Sequence, residues 1–189
     1  SFSSMRACAP SIDPFAVSVV IDSAGLPHLK AASPDAGSKT VAELRELCDY
    51  AQMPMILKGI MTVAGAKKAL EAGASGIVVS NHGGRQLDGA PSSIEALPAI
   101  VDAVGSKLEV WMDGGIRSGQ DVLKAWALGA RGTMIGRAMV YGLGAMGEAG
   151  VLKALQIIHK ELDVTMAFCG HTRLADVGRA ILRPGSFPV

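Results

Sequence analysis

The sequence predicts an α/β chain of the (β/α)8 TIM-barrel type, present as an incomplete barrel of about five strand-plus-helix units with extra C-terminal helices. Three observations carry this. Short, dense apolar runs recur at residues 15–21, 55–57, 76–79, 110–112 and 133–135, each followed by polar or glycine-rich residues, which is the pattern of buried parallel strands. Segments of helical apolar spacing lie between the runs. Asp22, Lys58, Ser80 with His82, Asp113, and Gly136 with Arg137 all fall just beyond the C-terminal ends of those runs, the edge at which a barrel gathers its reactive groups.

Taken in order, the first strand (15–21) is followed by a stretch at 25–39 rich in Pro, Gly, Ser and Ala, read as a loop. Val41, Leu44 and Cys48 mark the first helix, and Thr40 with Glu43 supplies its capping box. Val63, Ala66 and Leu70 mark the second, with Gly73 as its stop. The third carries Ile94, Leu97 and Val101 behind the Ser92 and Glu95 box, and Pro98 is a local conflict because proline removes a helical hydrogen bond. The fourth carries Val122, Ala125 and Trp126 between Ser118 with Asp121 and a stop at Gly129. Beyond residue 135 the pattern is helical, with Leu152, Leu155, Ile158 and Leu162 on one face and a terminal helix expected around Leu174, Val177 and Ile181.

An open doubly wound sheet also places ligands at strand C-termini, so that regularity alone does not choose a fold. Counting favours an incomplete barrel, because closure takes eight units and about 250 residues, against a chain of 189. No linker divides the sequence, which reads as a single domain over 1–189 corresponding to the C-terminal portion of a barrel. Its open strand edges predict pairing, either with a second copy or with an N-terminal segment preceding Ser1.

Hydrophobic residues make up 49% of the chain and aromatics 4%, so the core is aliphatic. A formal net charge of +1, with no basic stripe interleaved with aromatics, argues against nucleic acid or an acidic membrane as partner. Cys8, Cys48 and Cys169 are odd in number and widely spaced, which predicts neither a disulfide framework nor a zinc site and fits a reducing, cytoplasmic location. No metal site is expected.

The densest chemistry sits in Ser80-Asn81-His82-Gly83-Gly84-Arg85-Gln86-Leu87-Asp88-Gly89. Gly83 and Gly84 allow backbone conformations closed to other residues, His82 is a candidate base near neutral pH, and Arg85 a candidate carboxylate clamp. A second constellation, Asp113-Gly114-Gly115-Ile116-Arg117-Ser118-Gly119, precedes a helix whose first amides are expected to be unpaired and suited to a phosphate. Gly136 and Arg137 match the cradle that barrels build from their last loops. Lys58 ends a buried strand, where it must reach solvent or meet an anion. Asp22 either caps the chain after its strand or holds the second nitrogen of a histidine. His28, His159 and His171 receive no chemistry, and Met53, Met55, Met61 and Met139 are read as packing residues.

Together Lys58-Gly59, the residues from Ser80 to Gly89, those from Asp113 to Gly119, and Gly136-Arg137 resemble the FMN-dependent α-hydroxy acid dehydrogenase and oxidase family in order and spacing. The resemblance covers nearly the whole chain and the later part of the family's barrel. It implies FMN as cofactor and oxidation of a small 2-hydroxy acid to the 2-oxo acid, with an electron acceptor left open. His82 would then be the base, oriented by Asp22, and Arg85 the carboxylate clamp. Lys58 would lie beside the flavin, Ser80 and Asp113 would contact the flavin or its ribityl chain, and Gly114, Gly115, Arg117, Gly136 and Arg137 would form the phosphate end. The family's tyrosines from its early strands have no counterpart here. A silent FMN- or phosphate-binding fragment and a flavin-linked isomerase are the alternatives.

Overall fold

The computed structural model describes residues 16–21 and 39–186. Asp22, Cys8, His28 and most of the expected 25–39 loop lie outside the described residues. The order is β1 (Val17–Val20), α1 (Val41–Ala51), β2 (Met55–Ile60), α2 (Val63–Glu71), β3 (Gly76–Val79), α3 (Ser93–Val104), β4 (Glu109–Met112), α4 (Gly119–Ala127), β5 (Gly132–Thr133) and α5 (Arg137–Phe168). A 3-10 turn at His82–Gly84 follows β3, and two more close the chain at Leu174–Asp176 and Arg179–Ile181.

All four strand pairings are parallel and the spatial order is β1-β2-β3-β4-β5. This separates the two folds that strand-end chemistry leaves open. A doubly wound sheet reverses its strand order at a switch point, whereas here each strand adds beside its predecessor, the winding of a barrel wall. Leu57, Ile77, Val79, Leu97, Ile100 and Val110 form the shared aliphatic core of sheet and helices, each at 1% exposure or less.

The local signals act as their chemistry requires. Glu43 accepts hydrogen bonds from the Thr40 amide (2.7 Å) and hydroxyl (2.9 Å), and Glu95 from the Ser92 amide (2.8 Å) and hydroxyl (2.7 Å). Gly73 and Gly129 follow α2 and α4 with φ of 87° and 105°, conformations that favour glycine. Helix α3 runs continuously through Pro98, which is itself buried; apolar packing of that face outweighs the lost amide.

Three expectations are corrected at the C-terminal end. Helix α5 is interrupted at Met146 and Gly147, where Gly147 takes φ 59° and ψ −138°, and it folds back so that Gly142 and Gly150 meet backbone to backbone. Leu152 and Leu155 are exposed; α5 packs against α4 and the closing segment through Leu162 and Met166. Finally, the expected terminal helix is only the two 3-10 turns, held by a Trp126 Nε1 bond to the Leu174 carbonyl at 2.7 Å and an Arg179 to Asp102 ion pair at 2.6 Å. Met139, expected to pack, is exposed. Among the described residues, no helix is long and apolar enough to cross a membrane, and Cys48 and Cys169 are free thiols.

Candidate active site

Strand β2 ends in an irregularity that sets the site. Lys58 pairs with Val78 and Ile60 with Val79, so the register with β3 shifts between them, at Gly59 with φ 103°. Such a bulge re-aims the neighbouring side chain. The Lys58 ammonium donates to Ser80 Oγ at 2.7 Å and pairs with Asp113 Oδ2 at 2.7 Å. Ser80 is fully buried, and its Oγ also accepts the His82 amide at 3.1 Å. One hydroxyl therefore links the lysine to the histidine loop. The second oxygen of Asp113 is buried with no hydrogen-bond partner, a position that calls for a donor.

His82 takes φ 58°, uncommon for a residue with a side chain and sustained here by its neighbours. The Asn81 side chain accepts the Gly83 amide at 2.9 Å and donates to the Pro91 carbonyl at 3.1 Å, while its backbone amide donates to Ser93 Oγ at 3.3 Å. Gly83 and Gly84 follow with φ 67° and 77°. The second glycine-rich loop leans on this one, since a Cβ on Gly114 would lie 3.2 Å from Ser93 Oγ and 3.6 Å from Asn81 Oδ1. Sequence reasoning misses the roles of Asn81 and Ser93, because they depend on a contact between two loops that no local spacing reports.

A pocket of about 410 Å³ opens over these groups, with Lys58, His82, Arg85, Asp113, Arg117 and Arg137 on its polar walls and Ile116, Met134, Ile135 and Val140 on its apolar ones. Gly114, Gly115 and Gly136 also line it. Ser80 lies beneath Lys58. The structure therefore brings the described candidates together, four of the six polar groups being cations, as a bound phosphate or carboxylate requires.

The expected free amides at the start of α4 are not free. Asp121 accepts the Arg117 amide at 3.0 Å and the Ser118 amide at 3.1 Å, while Glu161 accepts the Gly119 amide at 2.9 Å. By contrast, α5 begins at Gly136 and Arg137 with no side-chain cap, and a Cβ on Gly136 or Gly115 would meet open space. The residues present thus fit an elongated anionic cofactor: a buried unpaired acceptor at Asp113, an apolar wall, and an open helix start flanked by arginines.

Residues 22–184 match the FMN-dependent dehydrogenase family. The chain is 52% identical over 141 residues to an L-lactate dehydrogenase of Caulobacter vibrioides, a match covering 75% of this chain and 37% of that protein. It is 49% identical over 140 residues to an L-lactate oxidase of a Nostoc species (74% and 38%) and 50% identical over 157 residues to a pre-mycofactocin synthase of Mycobacterium tuberculosis (82% and 39%). It thus spans well under half the length of these relatives. Among solved structures, mandelate oxidase with 3,3-difluoro-2-hydroxy-3-phenylpropionic acid superposes with a TM-score of 0.83 at 37% identity, over 94% of this chain and 57% of that one. A mandelate oxidase mutant with a monooxide FMN adduct gives 0.82 at 39% identity, over 93% and 56%. With its strand-end pocket and its sequential parallel sheet, this chain belongs to the FMN-dependent dehydrogenase family.

Proposed function

We propose that the protein oxidises a small 2-hydroxy acid to the 2-oxo acid with FMN as cofactor. The observation that carries this reading is that His82, Arg85 and the Lys58–Asp113 pair line one pocket together with Arg117, Gly136 and Arg137. The lactate and mandelate enzymes among its relatives support the substrate class. Bound FMN would supply the two-electron sink.

The chain's own residues then divide the work. Arg85 holds the substrate carboxylate through paired hydrogen bonds. His82 accepts the proton released from the α-hydroxyl or α-carbon, with Asp22 assigned the orienting role on the family resemblance. Lys58, fixed by Ser80 and Asp113, places a positive charge where negative charge develops. Asp113 offers its unpaired oxygen as an acceptor, and Gly115, Arg117, Gly136 and Arg137 hold the phosphate. We assign the activity to a closed barrel in which further strands, from an N-terminal segment or a second copy, pair with the outer edges of β1 and β5.

The test is anaerobic addition of L-lactate or mandelate to the full-length protein with FMN. Loss of the flavin absorption band supports oxidation. Retained FMN whose band never bleaches with any short 2-hydroxy acid overturns it and favours a silent binding protein.

A further inference from the structure

Helix α4 begins at a point of backbone contact with α5. Gly119, its first residue, is buried, and a Cβ there would collide with the backbone of Glu161 and Leu162. Only a residue without a side chain lets the two helices meet so closely. At that contact Glu161 accepts the Gly119 amide at 2.9 Å, across 42 positions of sequence. Together with the two bonds to Asp121, this satisfies the consecutive amides of Arg117, Ser118 and Gly119 with protein carboxylates. Glu161 does not itself line the pocket.

We infer that Glu161 is a positioning residue for the phosphate end of the site, an inference that rests on the FMN reading above. It acts through Gly119, tethering the start of α4, and with it the backbone of Arg117, to the helix that begins at Arg137. Because α5 folds back at Met146 and Gly147, it reaches the pocket with its first residue and braces the other arginine's loop with its later turns. The two carboxylates also occupy the amides that would otherwise draw an anion to α4. A phosphate is thereby directed to the uncapped start of α5, between Arg117 and Arg137. A flavin lacking the phosphate has no stake in this bracing.

The experiment compares FMN with riboflavin, by quenching of flavin fluorescence, on the full-length protein carrying Glu161→Ala, Glu161→Gln or Glu161→Asp. Glu161→Ala should weaken FMN binding about tenfold and leave riboflavin unchanged. Glu161→Gln, whose carbonyl oxygen can still accept the Gly119 amide, should recover most of the loss. If the alanine variant does not fold by circular dichroism, Glu161→Asp decides, since the shorter side chain keeps the charge and loses the bond; FMN should again weaken while riboflavin does not. FMN binding equal to wild type, or equal losses for FMN and riboflavin, overturns the inference and leaves the FMN reading standing. A wild-type protein that binds no FMN overturns both.

Discussion

The Nζ of Lys58 stands 2.7 Å from Oδ2 of Asp113, joining β2 to the residue that follows β4, with β3 between the two strands. The two side chains are 11% and 18% exposed, so neither charge is well hydrated and each depends on the other. Removing one partner of such a pair leaves an uncompensated charge.

Lys58→Met should therefore lower stability by about 3 kcal/mol. Adding Asp113→Leu should restore most of the loss, because the stranded carboxylate is gone. Urea unfolding of the single and double variants measures this, and an unshifted midpoint in Lys58→Met would show the pair to be energetically idle.

At the loop after β3, His82→Ala should slow flavin bleaching by about a hundredfold or more with FMN still bound. Arg85→Lys should instead raise KM for the 2-hydroxy acid about tenfold, because lysine lacks the planar two-point clamp. Stopped-flow reduction and steady-state kinetics separate the two effects; normal bleaching in His82→Ala would reassign the base.

Two glycines should respond differently to alanine. At Gly119 the added carbon meets the backbone of Glu161 and Leu162, which cannot give way as a side chain can, so Gly119→Ala should cost about 3 kcal/mol. At Gly115 the added carbon meets open space but φ is 81°, so Gly115→Ala should cost about 1 kcal/mol in backbone strain. Thermal melts should rank them in that order.

The capping carboxylates predict an acid limb. The Thr40 amide and then its hydroxyl hold the Glu43 carboxyl below the usual 4.5, and the Ser92 hydroxyl and then its amide do the same for Glu95. A depressed carboxyl contributes its stability in full above the unfolded value and loses it as pH falls through the folded one. Stability should therefore decline below the usual carboxyl value of 4.5, and Glu43→Gln with Glu95→Gln should flatten that decline. A Tm series across this range checks it; an unchanged slope would assign the acid limb to other groups.

Much of the site is legible in the amino-acid sequence, for identifiable reasons. Ser80, His82 and Asp113 stand just past strand ends because each follows an apolar run, and a run's direction decides which edge its last polar residue reaches; Lys58, expected at a strand end, lies inside β2, two residues before its last residue Ile60. The three capping boxes are visible because Thr40, Ser92 and Ser118 interact with residues three positions ahead. The C-terminal helix face is not legible at Leu152 and Leu155, since apolar spacing does not say which turn meets a neighbour. Nor is the pairing of the Gly119 amide, because Glu161 lies 42 positions along the chain from it.

Strand positions, helix caps and the composition of the glycine-rich loops were thus determined by the sequence alone, because apolar runs, capping and left-handed turns depend on residues within a few positions of one another. The tertiary structure alone decided that the strands follow one another in order as a barrel wall, that Gly114 rests against Asn81 and Ser93, and that Glu161 closes the start of α4. Those contacts arise where backbones approach through missing side chains, and the energy that selects them exists only after the helices and sheet have packed.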